Sequence, residues 1–237
     1  MRSFVLAAPL AGIALMTMVA GCGQGGVGSS LGGQILTPTV EGSIQSALPQ
    51  VLGPGQYTVT VSGLDTTGHA NEVDITGTNM TPPGAPTIAS MNAQFLDVNY
   101  SQSQNTITHV GRVNMNLTVT AADMTTWLVT DKGIPDTVVT FSSPDQLGLT
   151  GSPTVPTLGP VSVVIQGHVV PSGAQVSYVL DTVQVSGVSE TDPTILTDIS
   201  NLYNPLVDLS GIPAHPTITA VQAVSGAMTI VATGFFP

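Results

Sequence analysis

Cysteine occurs once in this 237-residue chain, at Cys22, so no disulfide can close within it and the fold must rest on sheet and packing. Cations are almost as scarce. Arg2, Arg112 and Lys132 stand against fourteen carboxylates, a formal net charge of −11. A surface this poor in Lys and Arg cannot neutralise a phosphate backbone, which argues against a nucleic-acid partner, and it offers no polybasic patch to lipid headgroups. Aromatic residues are 4% of the chain, with one tryptophan, so a carbohydrate cleft built on ring stacking is poorly supplied. Charged residues make up only 7%, yet 42% of the chain is apolar and much of that is Val and Ile. That composition belongs to a folded β-rich chain, not to a disordered one.

Catalytic signatures are missing as well. There is no G-x-S-x-G elbow. His69, His109, His168 and His215 show neither H-x-H nor H-x-x-x-H spacing, so no local pair supplies a metal. Glu72 and Asp74, on one face of a predicted strand, come nearest to a carboxylate pair and read as a solvated face. Asn79-Met80-Thr81, Asn99-Tyr100-Ser101 and Asn116-Leu117-Thr118 match the glycosylation acceptor by chance in a Thr- and Asn-rich chain. The sequence reads as non-enzymatic, with no metal and no cofactor. An enzyme would need several isolated histidines and carboxylates to converge in one cleft.

The N-terminus carries the clearest targeting signal. Arg2 precedes an apolar run from Phe4 to Ala20, the layout of a secretory leader. Val19-Ala20-Gly21-Cys22 then resembles a bacterial lipobox, which predicts a leader over 1–21 and diacylglyceryl modification of Cys22. Ordinary secretion and an uncleaved anchor are the competing readings; the run is at the short limit for spanning a bilayer. Loss of Arg2 with the leader takes the formal charge from −11 to −12. Lipidation predicts attachment to the bacterial cell envelope, facing periplasm or exterior. Gly23, rather than Asp, after the cysteine favours the outer membrane where the host has one.

The segment 22–37 reads as a Gly/Ser-rich tether and 38–237 as one domain. Val40, Ile44, Leu48 and Leu52 recur four apart and predict a helix over 37–53. From Tyr57 the period becomes two, through Val59 and Val61, then Val73 and Ile75. Between Ala93 and Tyr100 the alternation changes phase, as at a bulge. Val113, Met115, Leu117 and Val119 give the cleanest strand. Thr120-Ala121-Ala122-Asp123 is a capping pattern opening a helix that holds Met124, Trp127 and Leu128, closed by Lys132-Gly133. Strands follow at 137–141, 161–169 and 175–185. Asp192-Pro193 opens a helix whose apolar face is Ile195, Ile199, Leu202 and Leu206. A hairpin of 217–224 and 227–233 turns at Ser225-Gly226. The fold class is α+β, dominated by antiparallel strands.

Two stretches, VNMNLTVTAADMTTWLVTDKG and NLYNPLVDLSGIPAHPTITAVQAVSGAMTIVATG, resemble the LmeA-like bacterial envelope proteins, with the Asn204-Pro205-Leu206…Leu209…Pro213 spacing the most specific part. The resemblance spans about residues 38–234. It implies a tubular lipid-binding-like fold: a long curved antiparallel sheet wrapped around one or two helices, enclosing an apolar groove, and phospholipid binding without known catalysis. GLDTTGHANEVDITG replaces the aromatic-bearing segment that family members carry after the first helix, so the groove mouth differs.

The expected function is a lipid-anchored envelope protein binding or transferring a phospholipid-like amphipath. Met115, Leu117, Trp127, Leu128, Ile195, Ile199 and Leu202 are the groove candidates, and Arg112 and Lys132 the headgroup candidates. The alternative is a structural or assembly lipoprotein whose core is filled and whose surface does the work.

Overall fold

The computed structural model describes residues 32–101, 106–142, 144–212 and 216–236. The expected leader, Cys22 and most of the tether lie outside the described residues, as do Pro213 and His215. In chain order the elements are α1 (Gly32–Leu52), β1 (Gln56–Ser62), β2 (His69–Met80), β3 (Ile88–Ser101), β4 (Thr106–Thr120), α2 (Ala121–Thr130), β5 (Val138–Ser142), β6 (Gln146–Gly151), β7 (Thr154–Val155), β8 (Gly159–Pro160), β9 (Val163–Ser172), β10 (Gln175–Val185), β11 (Val188–Ser189), α3 (Pro193–Tyr203), β12 (Val207–Asp208), β13 (Thr217–Val224) and β14 (Ala227–Phe236). The β-dominated α+β class expected from the periodicity is what the chain adopts.

The strands form two large antiparallel sheets and a two-stranded one, β7-β8. The first runs β1-β2-β3-β4-β14-β13, and the second runs β11-β10-β9-β6-β5 with β12 also paired to β10. The division follows from α2. Thr120 ends β4 and caps the helix: its hydroxyl accepts from the Asp123 amide at 3.1 Å and donates to the Asp123 carboxylate at 2.5 Å. After α2, Gly133 at φ +65° turns the chain into β5 of the second sheet. The C-terminal hairpin then rejoins the sheets. Ile218 donates to the Gly173 carbonyl at 2.8 Å and Ala223 to the Pro144 carbonyl at 2.9 Å, both from β13. Side chains from both sheets and all three helices form one apolar cluster.

Period two sets the faces. Tyr57, Val59 and Val61 of β1 are buried while Gln56, Thr58, Thr60 and Ser62 are exposed. Across the first sheet the outward rows align as Thr60, Asp74, Gln94 and Asn114, and as Thr58, Thr76, Asn92, Asn116 and Val231. The outer face is therefore mostly neutral and polar, with Glu72, Asp74 and Arg112 as its charges in these central rows. The phase change in β3 is real: Ala93 is buried, then Val98 and Tyr100, with Asp97 at φ +57° between and a register break against β4 at Asn99/Tyr100.

Three expectations need correction. The first helix starts at Gly32, not 37, inside the expected tether, and Gly42 and Pro49 do not interrupt it. Burial of Val40, Ile44 and Leu52 outweighs weak local propensity. Leu206 is not helical, because α3 stops at Tyr203 and Pro205 cannot continue it. Finally, β6 was not anticipated: Leu147 and Leu149 alternate there, but Gly148 and Gly151 weaken the strand signal.

Candidate functional site

The groove candidates divide by burial. Met115 and Leu117 face inward from β4, with Trp127 and Leu128 on α2 and Ile199 on α3, and each is at most 4% exposed. Ile195 and Leu202 of α3 are half-buried and pack against the same cluster. All seven belong to or border one core. Two surface hollows lie beside that core, and of the seven only Trp127 lines either.

The more apolar hollow, about 360 Å³, lies at the seam of α3 and β10. Its apolar lining is Leu180, Val183 and Leu196, under a polar rim that includes Asp181, Gln184 and Glu190. A register break in the β9–β10 ladder between Leu180 and Thr182 displaces the strand at this point. Local chemistry fixes the helix over it. The Asp192 carboxylate accepts from the Thr194 and Ile195 amides at 2.8 and 3.4 Å, with Pro193 in the first turn. The Glu190 carboxylate accepts from the Thr191 and Asp192 amides, both at 2.8 Å. At the other end, Asn204 bonds the Tyr178 backbone of β10 in both directions. An apolar floor beneath an acidic rim suits the end of an acyl chain and repels phosphate.

The second hollow, about 270 Å³, lies between the β2–β3 turn and α2. Neither headgroup candidate lines it. Lys132 instead places Nζ 5.0 Å from the Trp127 ring centroid, and partial desolvation there lowers its pKa. Arg112 is exposed in the middle of β4, opposite Leu96 of β3, and neither cation forms an ion pair among the described residues.

Two of the described histidines share one carboxylate and the third faces another. His69 Nε2 lies 2.9 Å and His109 Nε2 3.9 Å from Asp97, while His168 Nδ1 lies 3.0 Å from Asp181 on the other sheet. Among the described residues no group of three His, Cys, Asp or Glu could hold a metal, and no helix is long and apolar enough to cross a membrane. Among the described residues three buried polar atoms lack a hydrogen-bond partner: Trp127 Nε1, Asp198 Oδ2 and Tyr203 Oη.

The seam residues Leu180, Val183 and Leu196 were not singled out from sequence. A signal existed, since Tyr178 and Val183 are both buried five apart on one strand, which demands a phase change between them. Leu196, beside Ile195, widens the apolar stripe of α3.

No curated protein and no solved structure matches the chain significantly. The sequence profile of the LmeA-like phospholipid-binding family does, across residues 27–233. A match over that share of the chain leaves little outside it but the expected leader, and it covers both stretches whose strand-to-helix and Asn-Pro-Leu patterns carried the resemblance; the chain belongs to the LmeA-like phospholipid-binding family.

Proposed function

We propose that this chain is a non-catalytic, lipid-anchored protein of the bacterial envelope, held to its membrane through acylated Cys22, that binds phospholipid-like amphipaths at the α3–β10 seam and passes them on. The observation that carries the reading is the hollow floored by Leu180, Val183 and Leu196 in a chain of a phospholipid-binding family. At about 360 Å³ it sits near the lower end of ligand pockets, about 300–1,000 Å³, so it takes part of one acyl chain rather than a whole lipid. Each methylene buried there contributes about 0.8 kcal/mol. Half-buried Ile195 and Leu202 extend the apolar strip along α3. The acidic rim turns the phosphate outward.

One observation favours the second reading, a filled structural lipoprotein: Leu117, Leu128 and Ile199 are fully buried in packed core. Both readings are tested on the full-length chain expressed with its own leader. Mass spectrometry of the N-terminal peptide reads the Cys22 modification. Native mass spectrometry reads bound lipid, before and after incubation with phosphatidylcholine vesicles. Lipid adducts that disappear in Leu196→Asp and Leu202→Asp, with circular dichroism unchanged, support the seam. An apo mass under every condition supports the filled core and discards the lipid site.

A further inference from the structure

The α3–β10 seam offers open backbone as well as apolar side chains. On the side away from β9, β12 pairs with Gln175 and Val176 of β10, and β11 pairs with Gln184 and Val185. Between those two pairings no strand lies beside β10. The direction of each backbone group there follows from the antiparallel ladder, in which alternate residues turn to alternate neighbours. Val176 and Tyr178 turn away from β9. The Val176 carbonyl accepts from the Leu206 amide at 2.9 Å, and both backbone groups of Tyr178 go to Asn204. Val169, opposite Tyr178 on β9, likewise sends its amide the other way, to the Asp145 carbonyl at 3.0 Å.

The register is unbroken from Tyr178 to Leu180, so the Leu180 N–H and C=O also point to the open side. Asp181 is the extra residue of the bulge. Beyond it the Val183 carbonyl is covered, accepting from the Glu190 amide at 2.9 Å. Leu180, between Tyr178 and Val183, has no hydrogen bond on that side among the described residues, and it lines the hollow.

An open strand residue is matched by the pattern of another strand residue: an N–H for its carbonyl and, one carbon away, a C=O for its N–H. Asn204 already meets the Tyr178 pair with a side-chain amide, so this edge takes a partner that is not a strand. A fatty ester has acceptors only and leaves the Leu180 carbonyl unmatched. A carboxylate or phosphate at the same place faces Asp181 and Glu190, with no Lys or Arg in the lining. An N-acylated aminoacyl group has the required order and no charge. Its aliphatic chain suits Leu180, Val183 and Leu196, and an amide N–H, one carbon and a carbonyl follow. The gap also sets the length. With Asn204 on Tyr178 and Glu190 on Val183, one aminoacyl unit fits and a longer peptide strand does not.

We propose that the seam binds a lipid whose acyl chain is amide-linked to a single aminoacyl unit, the amide N–H donating to the Leu180 carbonyl and the next carbonyl accepting from the Leu180 N–H. Such a ligand narrows the amphipath proposed for the seam and rests on that reading.

The test uses the full-length chain, isotope-labelled for amide NMR, and two neutral probes. They are N-octanoylglycine methyl ester and methyl (octanoyloxy)acetate, which puts oxygen in place of the N–H and keeps everything else. The amide should bind about tenfold more tightly than its oxygen counterpart, and the Leu180 amide proton should move downfield as it gains an acceptor. Leu180→Pro removes an N–H that faces the open side and not the β9 ladder, so both probes should weaken about tenfold. The probe pair leaves the protein unaltered and decides the question whether or not that variant folds. Native mass spectrometry after incubation with phosphatidylcholine vesicles carrying N-palmitoylglycine methyl ester should show that molecule bound in preference to phosphatidylcholine.

Equal binding of the two probes, or an unmoved Leu180 resonance, overturns this inference and leaves the seam as a site for acyl chains alone. Preferential uptake of phosphatidylcholine overturns it in the same way. Tighter binding of N-octanoyl-triglycine methyl ester than of the single-glycine probe assigns the edge to a peptide strand and also overturns it. Binding of neither probe overturns both this inference and the seam as a lipid site.

Discussion

Asn204 holds Tyr178 as a neighbouring strand would. Its side-chain Oδ1 accepts from the Tyr178 amide at 2.6 Å, and its Nδ2 donates to the Tyr178 carbonyl at 2.9 Å. One side chain thus completes the backbone pairing of β10 where α3 ends and continues it into the Leu206 amide, which donates to the Val176 carbonyl at 2.9 Å. Replacing Asn204 with Ala strands two part-buried backbone groups. The expected loss is about 2–3 kcal/mol, read as a lower urea midpoint with unchanged slope. Asn204→Asp should also destabilise, since its carboxylate keeps the acceptor but faces the Tyr178 carbonyl without a donor.

The open edge of β1 is covered by side chains of α1. Val61 donates its amide to the Glu41 carboxylate at 2.8 Å, and the Gln45 side chain donates to the Tyr57 carbonyl at 2.7 Å. The double variant Glu41→Ala/Gln45→Ala uncovers that edge. It should lose about 1–2 kcal/mol and associate with itself as concentration rises, which sedimentation velocity would detect. Stability loss without association would show that α1 still shields the edge by bulk alone.

Tyr203 is fully buried, its Oη has no partner among the described residues, and burial pushes its pKa up to about 12. In the unfolded chain the phenol titrates near its ordinary value of about 10. Between those values the unfolded form has released a proton that the folded form still holds, so stability is complete below pH ~10 and falls as pH rises toward ~12. Two pKa units correspond to roughly 3 kcal/mol at the far end of that window. Tyr178 shifts the same way, chiefly through burial, and adds to the loss. Alkaline unfolding followed by tyrosinate absorbance should therefore be cooperative. Tyr203→Phe removes an unpaired buried hydroxyl, so it should be neutral or stabilising by about 1 kcal/mol at neutral pH and should flatten the alkaline limb.

Gly167 sits under the Tyr178 ring at the β9–β10 ladder, where a Cβ would come 2.1 Å from the Val179 carbonyl oxygen and 2.7 Å from Tyr178 Cε2. A backbone oxygen in a sheet cannot step aside, so Gly167→Ala should cost about 2–3 kcal/mol or more. Gly42→Ala is the matched control. It lies in α1 with nothing within 4 Å of the added methyl, and it should stabilise by about 0.5–1 kcal/mol. Thermal midpoints of the two variants should move in opposite directions.

Local chemistry was legible wherever a single residue does the deciding. Thr120 with Asp123, Asp192 with Pro193, and Gly226 in the final hairpin each mark a boundary that the structure keeps, and β10 runs from Gln175 to Val185 as its alternation predicts. What escaped depends on packing between distant segments. The early start of α1 and the β6 strand show no local signal strong enough to outweigh their glycines. The division into two sheets is set by which strand each neighbour finds, and sequence spacing does not carry that information. The candidate site was half readable: α3 was recognised as apolar, but the displacement of β10 that opens the hollow beneath it comes from a shifted register, visible only as an alternation that changes phase between Tyr178 and Val183.

The mostly neutral, polar outer face of the first sheet has a consequence for how the molecule stays dispersed in water. Thr58, Thr60, Thr76, Asn92, Asn116 and their neighbours hold a hydration layer through hydroxyl and amide groups that do not titrate at any pH in ordinary use. Most acidic proteins lose solubility as acid removes their charge, and salt weakens whatever repulsion is left. Here Glu72, Asp74 and Arg112 are set among many neutral groups on that face, so its affinity for water changes less near the isoelectric point of about 4.2 than that of a surface wetted by charge. Its wetting rests more on hydroxyls and amides than on charge.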